Sequence, residues 1–374
     1  MKKRISVAMT AVMLAGVLTA CGTSGTTPTT EAATTEATTE AVTTEEATTE
    51  APAETEKETE TEKAEESGYR MGMAVVSSMA KSKEAGEKDG SAQVDSVAAA
   101  IVLDEDGVIV DCVIDTVQTI MAFDAEGKLV TPLDTEFDSK KVLKDEYGMK
   151  PASSIGKEWY EQMAVFEEYV IGKTVDEVTG IVVDEKTVPT DEDLLAGVTI
   201  KIGDYIEAIS QAAEDAKVIG TQPGDKLGLG IVGKMSKSKD AEEGKEGQGQ
   251  AYSTYVAVTT DADGKITACI IDSTQGTVKF DAEGKITSDL TVGVKTKRQL
   301  GDDYGMKPAS GIGKEWFEQA AALEEYVIGK TAAEVSGIAV AEGVPTDADL
   351  AASVTIGIGD YQAGIEKAVA SANE

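Results

Sequence analysis

The residues of this chain able to take part in chemistry are few, and most come in matched pairs. Thr199 lies in Ala196-Gly197-Val198-Thr199-Ile200, and Thr355 in Ala352-Ser353-Val354-Thr355-Ile356. Each threonine falls in a strand-like segment about five residues ahead of a helix-forming stretch. Cys112 and Cys269 also hold equivalent places, both inside apolar strands. A disulfide between matching core positions of two domains is geometrically awkward, so both are expected to be buried free thiols. The third cysteine, Cys21, stands where an apolar run ends and a polar one begins. The turns Asp104-Glu105-Asp106-Gly107 and Asp261-Ala262-Asp263-Gly264 resemble the start of a calcium loop. They lack its later ligands, including the glutamate at the twelfth position, and are read as hairpin turns. Gly228-Leu229-Gly230 is too short for a phosphate loop.

What is missing narrows the chemistry further. The 374 residues include no histidine, which removes the commonest general base and the commonest transition-metal ligand. The formal charge of -34 argues against nucleic acid or anionic headgroups as partners. Aromatic residues are 5% of the chain, so stacking platforms are scarce. Trp159 and Trp316 are expected as core residues on helix faces.

The elements that must position these residues begin after two segments that do not fold into a core. Residues 1–20 read as a signal peptide: Lys2, Lys3 and Arg4, then an apolar stretch from Ile5 to Val17 too short to span a membrane. Residues 22–67 hold 16 Thr, 13 Glu and 2 Lys among 46 positions. Such a segment cannot bury enough apolar surface to offset its ordering entropy, and its net negative charge extends it. Pulled straight it reaches roughly 150 Å.

Beyond the tether the chain repeats itself. Asp145-Glu146-Tyr147-Gly148-Met149-Lys150-Pro151-Ala152-Ser153 returns as Asp302-Asp303-Tyr304-Gly305-Met306-Lys307-Pro308-Ala309-Ser310, an offset of 157 residues that falls to 156 near the C-terminus. A period this long means duplicated domains, placed at 68–217 and 227–374 with a turn-rich connector at Ile219–Asp225. Each copy begins with β-rich hairpins: Val97–Leu103, a turn, then Val108–Val117. A helix near 156–171 follows, with Trp159, Met163, Phe166 and Val170 on one face, and Gly172 and Gly329 expected at its C-terminal caps. A short strand, Val198–Ile202, and a last helix capped by Asp204 complete the copy. The fold class is α+β, an antiparallel sheet with helices packed on one side.

Two resemblances add function to this plan. Leu18-Thr19-Ala20-Cys21 resembles the lipobox of bacterial lipoproteins, which implies diacylglycerol on Cys21, palmitate-type acylation and a membrane anchor at the outer face of the cell membrane. The segments around Thr199 and Thr355 resemble the closing motif of the FMN-binding domain family, close to Ser-Gly-Ala-Thr followed by a helix. The resemblance implies FMN-binding-like domains with FMN joined by a phosphoester to Thr199 and Thr355. It also implies that Gly197, Val198, Ser353 and Val354 belong to the cofactor-binding motif. The chain departs from the family pattern with Ala at the first motif position and Val at the third. An unactivated hydroxyl is a weak nucleophile, so a separate flavin transferase is the implied partner. Tyr147, Met149 and Lys150, with Tyr304, Met306 and Lys307, are candidate flavin neighbours.

Lipidated cysteine, tether and tandem copies together resemble the extracellular electron-transfer flavoprotein lipoproteins of Gram-positive bacteria. That likeness implies an electron carrier without catalytic residues of its own, taking electrons from a membrane quinol-linked donor. It would pass them to extracellular acceptors such as ferric iron or soluble flavins. The alternative expectation is a non-redox surface lipoprotein acting as a binding or interaction module. A transporter's substrate-binding subunit is a third.

Overall fold

The computed structural model describes residues 68–374. Residues 1–67, where a signal peptide, Cys21 and a tether are expected, lie outside the described residues. Among the described residues no helix is long and apolar enough to cross a membrane.

Each repeat opens with a three-stranded antiparallel meander. In the first, β1 (Arg70–Ser78), β2 (Gly90–Leu103) and β3 (Ile109–Phe123) pair in order. The turn between β2 and β3 closes because Asp104 Oδ1 accepts from the amides of Asp106 and Val108, and Gly107 takes a positive φ of 82°. The acidic turn is thus spent on its own backbone, as expected of a hairpin. After the short strand β4 (Glu136–Phe137) come five helices: α1 (Lys140–Leu143), α2 (Trp159–Val170), α3 (Val175–Thr179), α4 (Glu192–Leu195) and α5 (Gly203–Glu214).

The second repeat follows the same order. Its elements are β5 (Lys226–Lys234), β6 (Gly247–Thr260), β7 (Ile266–Phe280), α6 (Lys297–Leu300), α7 (Trp316–Val327) and α8 (Ala332–Ser336). A small hairpin of β8 (Val340–Ala341) and β9 (Val344–Pro345), then α9 (Ala348–Ala351) and α10 (Gly359–Ser371), complete it. The α+β class read from the sequence therefore holds, with helices on one face of each sheet.

The other face of each sheet meets its twin. Ala98, Ala100 and Val102 of β2 join Met71, Met73 and Val75 of β1 in one apolar cluster with Leu227, Leu229, Ile231, Tyr255 and Ala257 of the second repeat. Val97, Ala99, Ile101 and Leu103 face the helices instead, against Trp159, Met163 and Phe166. Both faces of β2 are buried, which explains why Val97–Leu103 is apolar without alternation. At the other end of the sandwich the rings of Phe123 and Phe280 stack 4.1 Å apart, 5° from parallel. The last helix of each repeat lies directly on the repeat's first strand. A Cβ at Gly72 would come within 1.9 Å of the Ala212 carbonyl oxygen of α5, and one at Gly228 within 1.9 Å of the Ala368 oxygen of α10.

Some boundaries differ from the sequence expectation. The helix expected near 156–171 begins at Trp159, with Glu158 as its N-cap in a capping box with Glu161. Gly172 and Gly329 do follow it in the left-handed region, at φ 82° and 76°. Val198–Ile202 is not a strand. Its backbone donors go to Leu194 O, the Gln162 side chain and Thr187 O, so no neighbouring strand is paired. Asp204 sits inside the first turn of α5, and Ile202 occupies the cap position. There the aspartate complements the positive helix end instead of capping it.

Candidate functional site

The threonine loops are built from the inside out. Val198 and Val354 are fully buried and pin their loops to the helix-side cores, while Thr199 and Thr355 are left half-buried. The loop amides are fixed on both sides of the threonine: Val198 N donates to Leu194 O at 2.8 Å, and Ile202 N to Thr187 O at 2.8 Å. The threonine itself is held by a buried glutamine from the first turn of α2. Gln162 Oε1 accepts from Thr199 N at 2.8 Å and from its hydroxyl at 3.2 Å. In the second repeat Gln319 Oε1 accepts from Thr355 N at 2.8 Å and from the hydroxyl at 3.2 Å. The amide ends of the glutamines are committed too, to Ser153 Oγ and Ser310 Oγ at 3.1 Å.

Gly197 and Ser353, which precede the buried valines, differ for a packing reason. A Cβ on Gly197 would meet Val165 Cγ1 at 2.6 Å. Ala322 stands at the place of Val165 in the second repeat, and the missing methyl groups make room for the serine.

The Tyr-Gly-Met-Lys loops come to the same helix. Glu158, buried at the N-cap, receives Met149 N and Lys150 N at 2.8 Å, one on each carboxylate oxygen. Glu315 does the same for Met306 and Lys307, at 2.9 and 2.8 Å. The backbone, not the lysine side chain, makes these contacts: Lys150 and Lys307 are exposed. Tyr147 and Met149 pack on the helix-side core, as do Tyr304 and Met306. The sequence-singled threonine and Tyr-Met-Lys loops therefore converge, within each repeat, on one turn of helix that carries Glu-Trp-x-x-Gln.

Besides Gln162 and Gln319, four side chains there were not anticipated. Lys140 and Lys297 are buried, 8% and 4% exposed. Lys140 Nζ lies 4.7 Å from the Tyr147 ring centroid and 5.1 Å from that of Trp159. Lys297 Nζ lies 4.7, 4.8 and 5.0 Å from the rings of Tyr252, Tyr304 and Trp316, and donates to Tyr252 Oη at 2.8 Å. Burial lowers both ammonium groups to a pKa of about 8. Behind them, Trp159 Nε1 donates to Tyr205 Oη at 2.9 Å and Trp316 Nε1 to Tyr361 Oη at 2.8 Å. Burial pushes the Tyr205 phenol up to about 12. The clue in the sequence was recurrence at polar positions. Ser139-Lys140-Lys141 returns as Thr296-Lys297-Arg298, and Gly203-Asp204-Tyr205 as Gly359-Asp360-Tyr361.

The lysine is placed by its neighbour. Lys141 N donates to buried Asp115 at 3.0 Å, and Lys141 Nζ pairs with Glu167 of α2 at 2.6 Å. Arg298 N reaches Asp272 at 3.2 Å, and the Arg298 guanidinium pairs with Glu324 of α7. These clasps tie the short helix to the sheet and the long helix together.

Cys112 and Cys269 are buried free thiols, as expected, each in the helix-side core of its own repeat. Burial raises both well above the ordinary thiol range, which leaves them unreactive. Among the described residues no group of three His, Cys, Asp or Glu is arranged to hold a metal ion. A cavity of about 540 Å³ lies elsewhere, between the β1 edge and the second repeat, lined by Met71, Met73, Ile270, Asp272, Arg298 and Phe317 among others. Neither threonine lines it.

No family model matches the chain, and no solved structure matches it. Among curated proteins it is similar to a chlorophenol reductase of Desulfitobacterium hafniense, 56% identical over 41 residues. That stretch is 11% of this chain and covers 12% of the relative's length, so the likeness is local and assigns no family.

Proposed function

We propose that the protein is a membrane-anchored extracellular electron carrier of FMN-binding-like architecture, with FMN esterified through its phosphate to Thr199 and Thr355. The observation that carries this reading is the twin threonine geometry. Two half-buried hydroxyls sit in matching loops, each held by a buried glutamine that stands three residues along its helix from a tryptophan, against which a buried lysine rests.

The residues present suit the group. Gln162 and Gln319 hold the loops mainly through the threonine amides, so losing the hydroxyl proton to an ester leaves the shorter bond in place. Partial exposure lets a transferase reach the oxygen. Val198 and Val354 anchor the loop from below, and Gly197 or Ser353 fits whatever α2 or α7 offers. Tyr147 and Met149, or Tyr304 and Met306, give an apolar wall held by Glu158 or Glu315. The bound flavin supplies the redox chemistry, and the protein's task is to hold, orient and tune it. No nucleophile–base pair is required of such a site. Covalent attachment suits a location outside the cell, where a dissociated cofactor diffuses away. In this reading Cys21 carries the lipid, residues 22–67 let the folded part range between a quinol-linked donor in the membrane and acceptors such as ferric iron or soluble flavins.

Coexpression with a flavin transferase tests the reading. The intact mass should rise by two FMN adducts, and the band should fluoresce after denaturing electrophoresis. Thr199→Ala and Thr355→Ala should each remove one adduct, and the double variant both. Unmodified threonines under those conditions would leave the non-redox interaction module as the better account.

A further inference from the structure

Lysine is rarely buried without a carboxylate partner, yet each repeat does this once at the same place. Among the described residues neither Lys140 nor Lys297 forms an ion pair. Lys140 Nζ rests on the faces of Tyr147 and Trp159, and Lys297 Nζ on those of Tyr252, Tyr304 and Trp316 with one tyrosine hydroxyl. The carboxylates of Asp95 and Asp115 act on Lys140, and that of Asp272 on Lys297, from beyond pairing distance. Removing an ammonium from water is costly, and aromatic faces return only part of that cost. A buried cation that no carboxylate pairs directly, kept in both repeats, is poor structural economy and good preparation for a ligand.

The position says which ligand. Trp159, against which Lys140 rests, and Gln162, which holds Thr199, are three residues apart on the buried face of α2, neighbours on one helix surface. Trp316 and Gln319 stand in the same relation on α7. The lysine and the threonine are therefore held by neighbouring residues of one helix face in each repeat. Resting on the reading of Thr199 and Thr355 as attachment points, we infer that Lys140 and Lys297 are the cationic contacts for the electron-rich edge of the planar flavin ring. Each presents its ammonium in a frame of tyrosine and tryptophan. A fixed positive charge in a partly desolvated place interacts more strongly with a ring edge than it would in water. It favours the reduced, more electron-rich form and raises the reduction potential.

The chain contains two tryptophans, Trp159 and Trp316, so intrinsic tryptophan emission reports on these two places alone. The test uses the full chain made in a host without flavin transferase, titrated with free FMN. Saturable quenching is expected. Lys140→Met and Lys297→Met should each abolish about half of it, and the double variant should weaken binding at least tenfold. Methionine keeps the apolar stem, and Lys→Arg at both places should restore binding to within about threefold of the parent. As a measurement that needs no variant, FMN should slow amide hydrogen exchange around Lys140 and Lys297 of the parent, read by peptide mass spectrometry. Quenching indifferent to both lysines, no quenching, or no protection overturns the inference. Lysine-dependent binding in a protein whose threonines stay unmodified beside a transferase would uphold the lysine contacts and overturn the attachment.

Discussion

The two repeats share nearly every element, so the places where they differ show which features the fold tolerates and which the site demands. Glu-Trp-x-x-Gln, the buried lysine, the phenol under the tryptophan and the half-buried threonine are the same in both. Around them the packing has drifted. Met163 and Phe166 of α2 are Ala320 and Leu323 in α7. Asp95, which pairs with exposed Lys81 at 2.6 Å, is replaced by Tyr252, whose hydroxyl takes the Lys297 proton donor instead. The sandwich is also unsymmetrical at its edges. Glu136–Phe137 of the first repeat crosses over to pair with β5, whereas Gly293 and Val294, at the corresponding positions, do not pair with β1. Asp111 Oδ2 further receives Leu227 N at 3.2 Å, a bond that Ala268 at the equivalent place cannot offer in return. The first repeat thus reaches across more than the second, and the two are held as one packed body.

The largest expected effect tests that last point. Phe123→Ala or Phe280→Ala should cost about 3–5 kcal/mol, and chemical denaturation should still show one transition for both repeats. The double variant should reveal a coupling of about 0.5–1.5 kcal/mol. Two separate transitions would mean that the repeats are independent despite their shared core.

A comparably large effect separates the two buried aspartates by pH. Burial raises Asp115, and raises Asp272 to about 6 from an ordinary 3.8. A carboxyl whose folded pKa exceeds its unfolded value favours the folded state when protonated. Its contribution is present below about pH 4 and is lost as pH rises to about 6, at most about 3 kcal/mol for Asp272. Asp272→Asn should flatten the stability profile across that window. Asp115→Asn should act in the same direction, and unfolding midpoints measured from pH 4 to 7 compare the two.

The motif position before the buried valine gives a smaller effect. Gly197→Ser should cost about 1–3 kcal/mol because Val165 is stiff in its helix. Adding Val165→Ala should recover most of that by copying the Ser353 and Ala322 pair. If the two costs simply add, steric compensation is not the reason for the difference.

Asp95→Tyr, which rebuilds the second repeat's cage in the first, should lower stability by about 1 kcal/mol, because Lys81 is exposed while the mostly buried Asp95 also accepts from Gln93 and Gln118. Its effect should also appear as a different FMN affinity at the Trp159 site in the quenching titration.

How much of this was readable beforehand varied by element. The hairpins were legible because Asp-x-Asp-Gly satisfies its own amides, a purely local matter. The α2 and α7 faces were legible because Trp159, Met163, Phe166 and Val170 follow helical spacing. The segment before the last helix was misread: Val198-Thr199-Ile200 has strand composition, but its donors are claimed by Gln162, Leu194 and Thr187. Lys140 was passed over because a lysine in the polar run Asp138-Ser139-Lys140-Lys141 carries no sign of burial. Only its recurrence as Lys297 marks it.

By itself, the sequence determined the duplication, the α+β class, the core faces of the long helices and the pair of threonines, all of which rest on local periodicity or direct repetition. The tertiary structure decided that the two sheets close against each other. It also decided that Thr199 meets Gln162 from 37 residues away, and that a lysine lodges among aromatic rings. Those outcomes depend on contacts between segments distant in the chain, and close packing, not local propensity, selects among them.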